Sequence, residues 1–210
     1  MSRMRNDEAV IDEWIKGGEA FVFYREPGER VCHGIRAARS SLQSFEVFPS
    51  NDGKTGFVFA PFRFGEGHPL WLLPLEEEIE VGISRAVCSD EVEAPAPMPF
   101  CGRLEEQPSK EYREAFRAFS GALRAGDFQK LVLSRGCTDA FPHGFSWARA
   151  FTAACRRYVH SYVYLFHTPQ TGFWLGATPE ILLAGGKGEY RTVALAGTQF
   201  LQEGKLTAPW

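Results

Sequence analysis

The sequence predicts an α+β protein, a large and mostly antiparallel sheet with helices packed against it. Three observations predict this. Short runs rich in β-branched and aromatic residues recur with turn residues between them, the pattern of a meandering antiparallel sheet. Two longer stretches instead repeat their apolar residues with helical period. Phenylalanine occurs 18 times in 210 residues, a supply of rings suited to thick packing between a sheet and its helices.

Taken in chain order, residues 11–15 read as a short helix with Trp14 on its apolar side, and residues 20–24 as a strand closed by Pro27-Gly28. Residues 44–48, 56–64 and 70–75 are further strands, with Asn51-Asp52-Gly53 supplying turn chemistry between the first two. Residues 91–107 open on EVEAPAPMPF, whose three prolines can neither hold a ladder nor continue a helix. They read as a surface linker between an N-terminal sheet region, 1–90, and the segment that carries the chemistry, 108–210. Ser109 then opens the clearest helix. Tyr112, Ala115, Phe116, Phe119 and Leu123 fall on one side of it and Gly126 stops it. Residues 128–135 read as a strand. Ser146 caps a helix reaching about residue 157, with Trp147, Ala150, Phe151 and Ala154 on one face. Strands at 159–166, 173–177 and 190–195 close the chain, the last entered through a hairpin-like turn at Gly185-Gly186-Lys187-Gly188.

Composition excludes several function classes. The apolar share is 44%, the charged share 23% and the formal net charge −3, so bulk charge attracts neither nucleic acid nor an anionic membrane. No run of about 18 apolar residues is present, and the first residues turn acidic without an apolar signal region, which points to a cytoplasmic protein. Cys32, Cys88, Cys101, Cys137 and Cys155 are odd in number and far apart, and read as reduced thiols. His33, His68, His143, His160 and His167 are scattered and read as surface or packing residues, and Asp127 as a cap or turn.

Three segments carry chemistry. In Phe128-Gln-Lys-Leu-Val-Leu-Ser-Arg135, a strand would place Lys130 on one face with Val132 and Ser134, opposite Leu131 and Leu133. That lysine is either an edge-strand solubility device or a buried functional amine. In Trp174-Leu-Gly-Ala-Thr-Pro-Glu-Ile-Leu-Leu183, Glu180 follows a strand end and a Thr-Pro turn; it is either a solvated turn acid or a carboxyl at a break in an apolar strand pair. In Val193-Ala-Leu-Ala-Gly-Thr198, an apolar run opens onto Gly-Thr, where backbone N–H groups can approach an anion or simply end a strand.

In this order, Gln-Lys-x-Val-Leu-Ser-Arg, Gly-Ala-Thr-Pro-Glu and Leu-Ala-Gly-Thr, the three motifs resemble the chorismate-utilising enzymes, and within them the isochorismate synthases. The likeness covers about residues 112–198, with Lys130 and Glu180 fifty positions apart. It implies the fold of that family. It also implies roles. Water-adding members carry a lysine where Lys130 stands, whereas anthranilate-forming members have glutamine; aminodeoxychorismate synthases place a nucleophilic lysine where this chain has Ala196. Lys130 would deprotonate a water that attacks C2 of chorismate, Glu180 would protonate the departing C4 hydroxyl, and Ala196, Gly197 and Thr198 would line the substrate. Base action by an amine needs a desolvated pocket or a neighbouring cation, and the acid needs an apolar shelf, for which Ile181, Leu182 and Leu183 are candidates. Magnesium holds the substrate carboxylate in the family. Its glutamate ligands, and the family's cationic contacts to the substrate, lie beyond the point matching Trp210, so the resemblance implies that this chain is the first part of a longer protein. Salicylate synthase, which also eliminates pyruvate, and a non-catalytic truncated module are the alternatives. The product would serve menaquinone, siderophore or salicylate formation.

Overall fold

The computed structural model describes residues 7–47, 53, 55–83, 109–136, 138, 140–186 and 188–195, and the backbone of 201–202 and 205–206. It is α+β, with antiparallel sheets. The chain divides into two compact units, the first drawn from residues 1–86 and 146–193 and the second from 87–145 and 194–210. The expected linker at 91–107 lies outside the described residues.

The first unit is built on a five-stranded antiparallel sheet. Its strands are β1 (Ala20–Arg25), β2 (Val31–Ala37), β6 (Glu77–Gly82), β7 (Tyr162–Thr168) and β8 (Gly172–Thr178), in the order β6-β2-β1-β7-β8. β1 is central. It pairs with β2 through Phe23↔Gly34 and with β7 through Phe23↔Leu165. Alternation sends Phe21, Phe23 and Arg25 to one face and Ala20, Val22 and Tyr24 to the other. Nearly all of this strand is buried, which is why its sequence is a continuous apolar run rather than an alternating one.

Each face has its own cover. Against Phe21 and Phe23 lie helices α1 (Asp7–Gly17) and α3 (Trp147–Arg157), which contribute Val10, Ile11, Trp14, Ala148, Phe151 and Cys155 to one buried cluster. The Trp14 and Phe23 rings stand 4.6 Å apart. Against Val22 and Ala20 packs Leu73 from a second, three-stranded sheet, in which β5 (Leu70–Pro74) lies between β3 (Gln43–Phe45) and β4 (Gly56–Phe59). Gly34 is required by close approach: a Cβ there would meet the Phe23 ring at 2.7 Å. A hairpin of β9 (Ala184–Gly186) and β10 (Glu189–Arg191) follows β8.

In the second unit α2 (Lys110–Ala125) begins where Ser109 Oγ accepts the Tyr112 N–H at 3.2 Å. It ends at Gly126, whose φ of 79° lets its N–H return to the Ala122 and Leu123 carbonyls. β11 (Leu201–Gln202) and β12 (Lys205–Leu206) form a short antiparallel pair.

Expectations are corrected at several strands, the expected strand at 56–64 being Gly56–Phe59. Residues 128–135 form no ladder among the described residues, because β-rich sequence becomes a strand only beside a partner. The expected strand at 190–195 is shorter, Glu189–Arg191. β2 and β6 were unexpected: His33, Gly34 and Arg36 interrupt the first, and three glutamates mask the Ile79/Val81 alternation of the second, an edge strand.

Candidate active site

Glu180 belongs to the first unit, two residues past the end of β8. Pro179 cannot donate to a ladder, so pairing with β7 stops at Tyr162↔Thr178. The chain then turns, the Glu180 N–H donating to Thr178 Oγ1 at 3.1 Å. The carboxylate-bearing residue is exposed. Of the expected apolar shelf, Ile181 is half-buried while Leu182 and Leu183 are exposed. Beyond it, Val193 N–H donates to the Ile181 carbonyl at 2.8 Å, which returns the chain to the foot of the β9–β10 hairpin.

Tyr162, opposite Thr178, is a feature with no local signal in the sequence. Its ring stacks on Tyr24 at 5.6 Å and 18°. Burial, then Tyr24, then Glu26 push its phenol well above the ordinary tyrosine range, so the hydroxyl at this end of β8 stays protonated. Only the register of β1, β7 and β8 assembles the pair.

Lys130 belongs to the second unit. Although residues 128–135 make no ladder, exposure still alternates: Lys130, Val132 and Ser134 are exposed, Leu131 and Leu133 half-buried. The extended chain therefore keeps the two faces that the sequence implies. Lys130 Nζ donates to the Leu195 carbonyl at 2.8 Å. That contact brings the first motif to the first residue of the third, Leu195-Ala-Gly-Thr198. Ala196, Gly197 and Thr198 themselves lie outside the described residues.

A cavity of about 800 Å³ occurs in the first unit, walled by Phe57, Phe59, Trp71, Tyr164, Phe166 and Trp174. Glu180 of the same unit is not among its described lining residues, nor is any lysine or arginine that would neutralise a dianionic substrate. Among the described residues no group of three or more His, Cys, Asp or Glu side chains is placed to hold a metal ion. No helix among them is long and apolar enough to cross a membrane.

The match that decides the family covers residues 75–206, more than half of the chain, and its description is chorismate binding enzyme. The chain belongs to this family. All three motifs, with Lys130, Glu180 and residues 196–198, fall inside the matched span of this chorismate-binding chain. No curated protein and no solved structure matches it.

Proposed function

We propose that this chorismate-binding chain contributes to the isomerisation of chorismate to isochorismate. The observation that carries the reading is Lys130: an amine, not an amide, stands in the Gln-Lys-x-Val-Leu-Ser-Arg motif, and it touches the backbone at Leu195 beside Ala196. A lysine there suits activation of water, and Ala196 offers no competing nucleophile. In the proposed reaction Lys130 takes a proton from water as its oxygen bonds to C2. The ring double bonds shift, the C4–O bond breaks, and Glu180 supplies the proton that releases the hydroxyl as water. One water enters and one leaves. Ala196, Gly197 and Thr198 would orient the substrate through backbone and hydroxyl contacts.

The magnesium that the resemblance implies has no matching donor set among the described side chains. The composition and the reading of the cysteines as reduced thiols favour a cytoplasmic setting.

The test is product analysis with chorismate and magnesium. Isochorismate without pyruvate supports the reading, salicylate with pyruvate replaces it by salicylate synthase chemistry, and no turnover favours a non-catalytic module. Lys130→Ala is expected to lower turnover by about 10²- to 10⁴-fold, the usual range for loss of a general base. A Lys130→Ala protein that forms isochorismate at the unaltered rate ends the proposal.

A further inference from the structure

Cys32 and Cys155 are 123 positions apart in sequence, yet their Sγ atoms lie 3.9 Å apart. Cys32 comes from β2 and Cys155 from the last turn of α3, and both are buried, at 2% and 3% exposure. Beside them stands Arg25 of β1, at 1% exposure the largest fully buried side chain among the described residues. Its guanidinium donates to the carbonyls of Tyr158 at 2.6 Å, Val159 at 2.8 Å and Glu26 at 2.9 Å, and more distantly to that of Cys155 at 3.5 Å. It thereby closes the C-terminal end of α3, where free carbonyls gather negative partial charge.

Arg25 lacks something. Among the described residues no carboxylate pairs with it, and its buried Nε has no hydrogen-bond partner. A buried cation without a counter-anion is costly. The acidic group within reach is the Cys155 thiol. The Cys32 thiol's hydrogen bond, then the guanidinium charge of Arg25, hold Cys155 below the ordinary thiol range against the opposing push of burial. Two thiols in contact beside a buried cation that has no carboxylate partner among the described residues are placed to react with one another.

We propose that Cys32 and Cys155 are a reversible disulfide-forming pair, oxidised by a peroxide and served by Arg25. The Cys155 thiolate attacks one peroxide oxygen, breaking the O–O bond and leaving a sulfenic acid and hydroxide. The Cys32 sulfur then attacks the Cys155 sulfur, and the sulfenic oxygen departs as water. In sum two thiols and one hydrogen peroxide become one disulfide and two waters; the sulfurs are oxidised and the peroxide reduced. The sulfurs close from 3.9 Å to about 2.0 Å, a change within reach of side-chain rotation and a small shift of the last turn of α3. That turn is followed by Tyr158 and Val159, which are 46% and 48% exposed, so the thiols lie beneath a surface end of α3, the side from which a small oxidant approaches.

The experiment treats the folded chain with hydrogen peroxide, then maps peptides without reduction. The expected result is a Cys32–Cys155 cross-link that dithiothreitol reverses, with a higher thermal midpoint for the oxidised chain, since the bond ties β2 to α3 across a long loop. Cys32→Ala is expected to abolish the link and leave Cys155 open to a sulfenic-acid trap. Mapping of the unaltered chain needs no variant to fold. A link between other cysteines, a link formed only in urea, or Cys32 and Cys155 still reduced once the remaining three thiols are oxidised overturns the proposal.

Discussion

Tyr162 occupies the point where β8 releases the chain toward Glu180, and its phenol is kept neutral by burial, by Tyr24 and by Glu26. Tyr24 is raised as well, by burial, Glu78, Glu26 and Glu29. Free tyrosine ionises near pH 10. Because both folded-state values lie higher, their contribution to stability is complete below that pH and drains away as pH climbs toward the folded values. Alkaline absorbance titration of the folded chain should therefore show Tyr24 and Tyr162 ionising late. A single step for all six tyrosines near pH 10, with the fold intact, would contradict this account. At this scale Lys130 and Glu180 became candidates only through the order of the three motifs and the family they resemble, since each alone also reads as an exposed edge or turn residue. The sequence hid Arg25, Cys155 and Tyr162, whose partners lie more than a hundred positions away and meet only through strand register.

At the scale of elements, local chemistry read well wherever it was self-contained. Ser109 and Ser146 both act as helix caps, and Gly126 closes α2 as its position implied. α3 was placed correctly but its inner face was rotated: Ala148, Phe151, Thr152 and Cys155 are buried, while Trp147 and Ala154 pack at the margin. Thr152 turns inward because its hydroxyl can donate to Glu8 at 3.1 Å, which apolar periodicity cannot reveal. Strands were harder. Residues 128–135 have β-forming sequence without a ladder, while β6 has a ladder under acidic sequence. The two serine caps give a contrast to measure. Ser146→Ala should cost about 1 kcal/mol in denaturant unfolding, because α3 is anchored in the main apolar cluster. Ser109→Ala removes the same bond from α2, none of whose residues is buried, and should leave the main transition in place. Equal losses from both would refute the difference in anchoring.

Across the whole molecule, order is concentrated around β1, which is laddered on both edges and covered on both faces. Amide exchange should be slowest in β1 and its neighbours β2 and β7, and markedly faster along α2. Comparable protection in α2 and β1 would show that burial is a poor guide to stability here. The pairing of Phe21 with His167 has a further consequence during synthesis on the ribosome. One side of β1 can be satisfied at once by β2, but the other waits for residues roughly 140 positions later. At about 5–20 residues per second that wait is on the order of ten seconds. Throughout it a nascent, phenylalanine-rich edge is available to other nascent chains, so the yield of folded protein is set by what shields that edge until translation reaches β7.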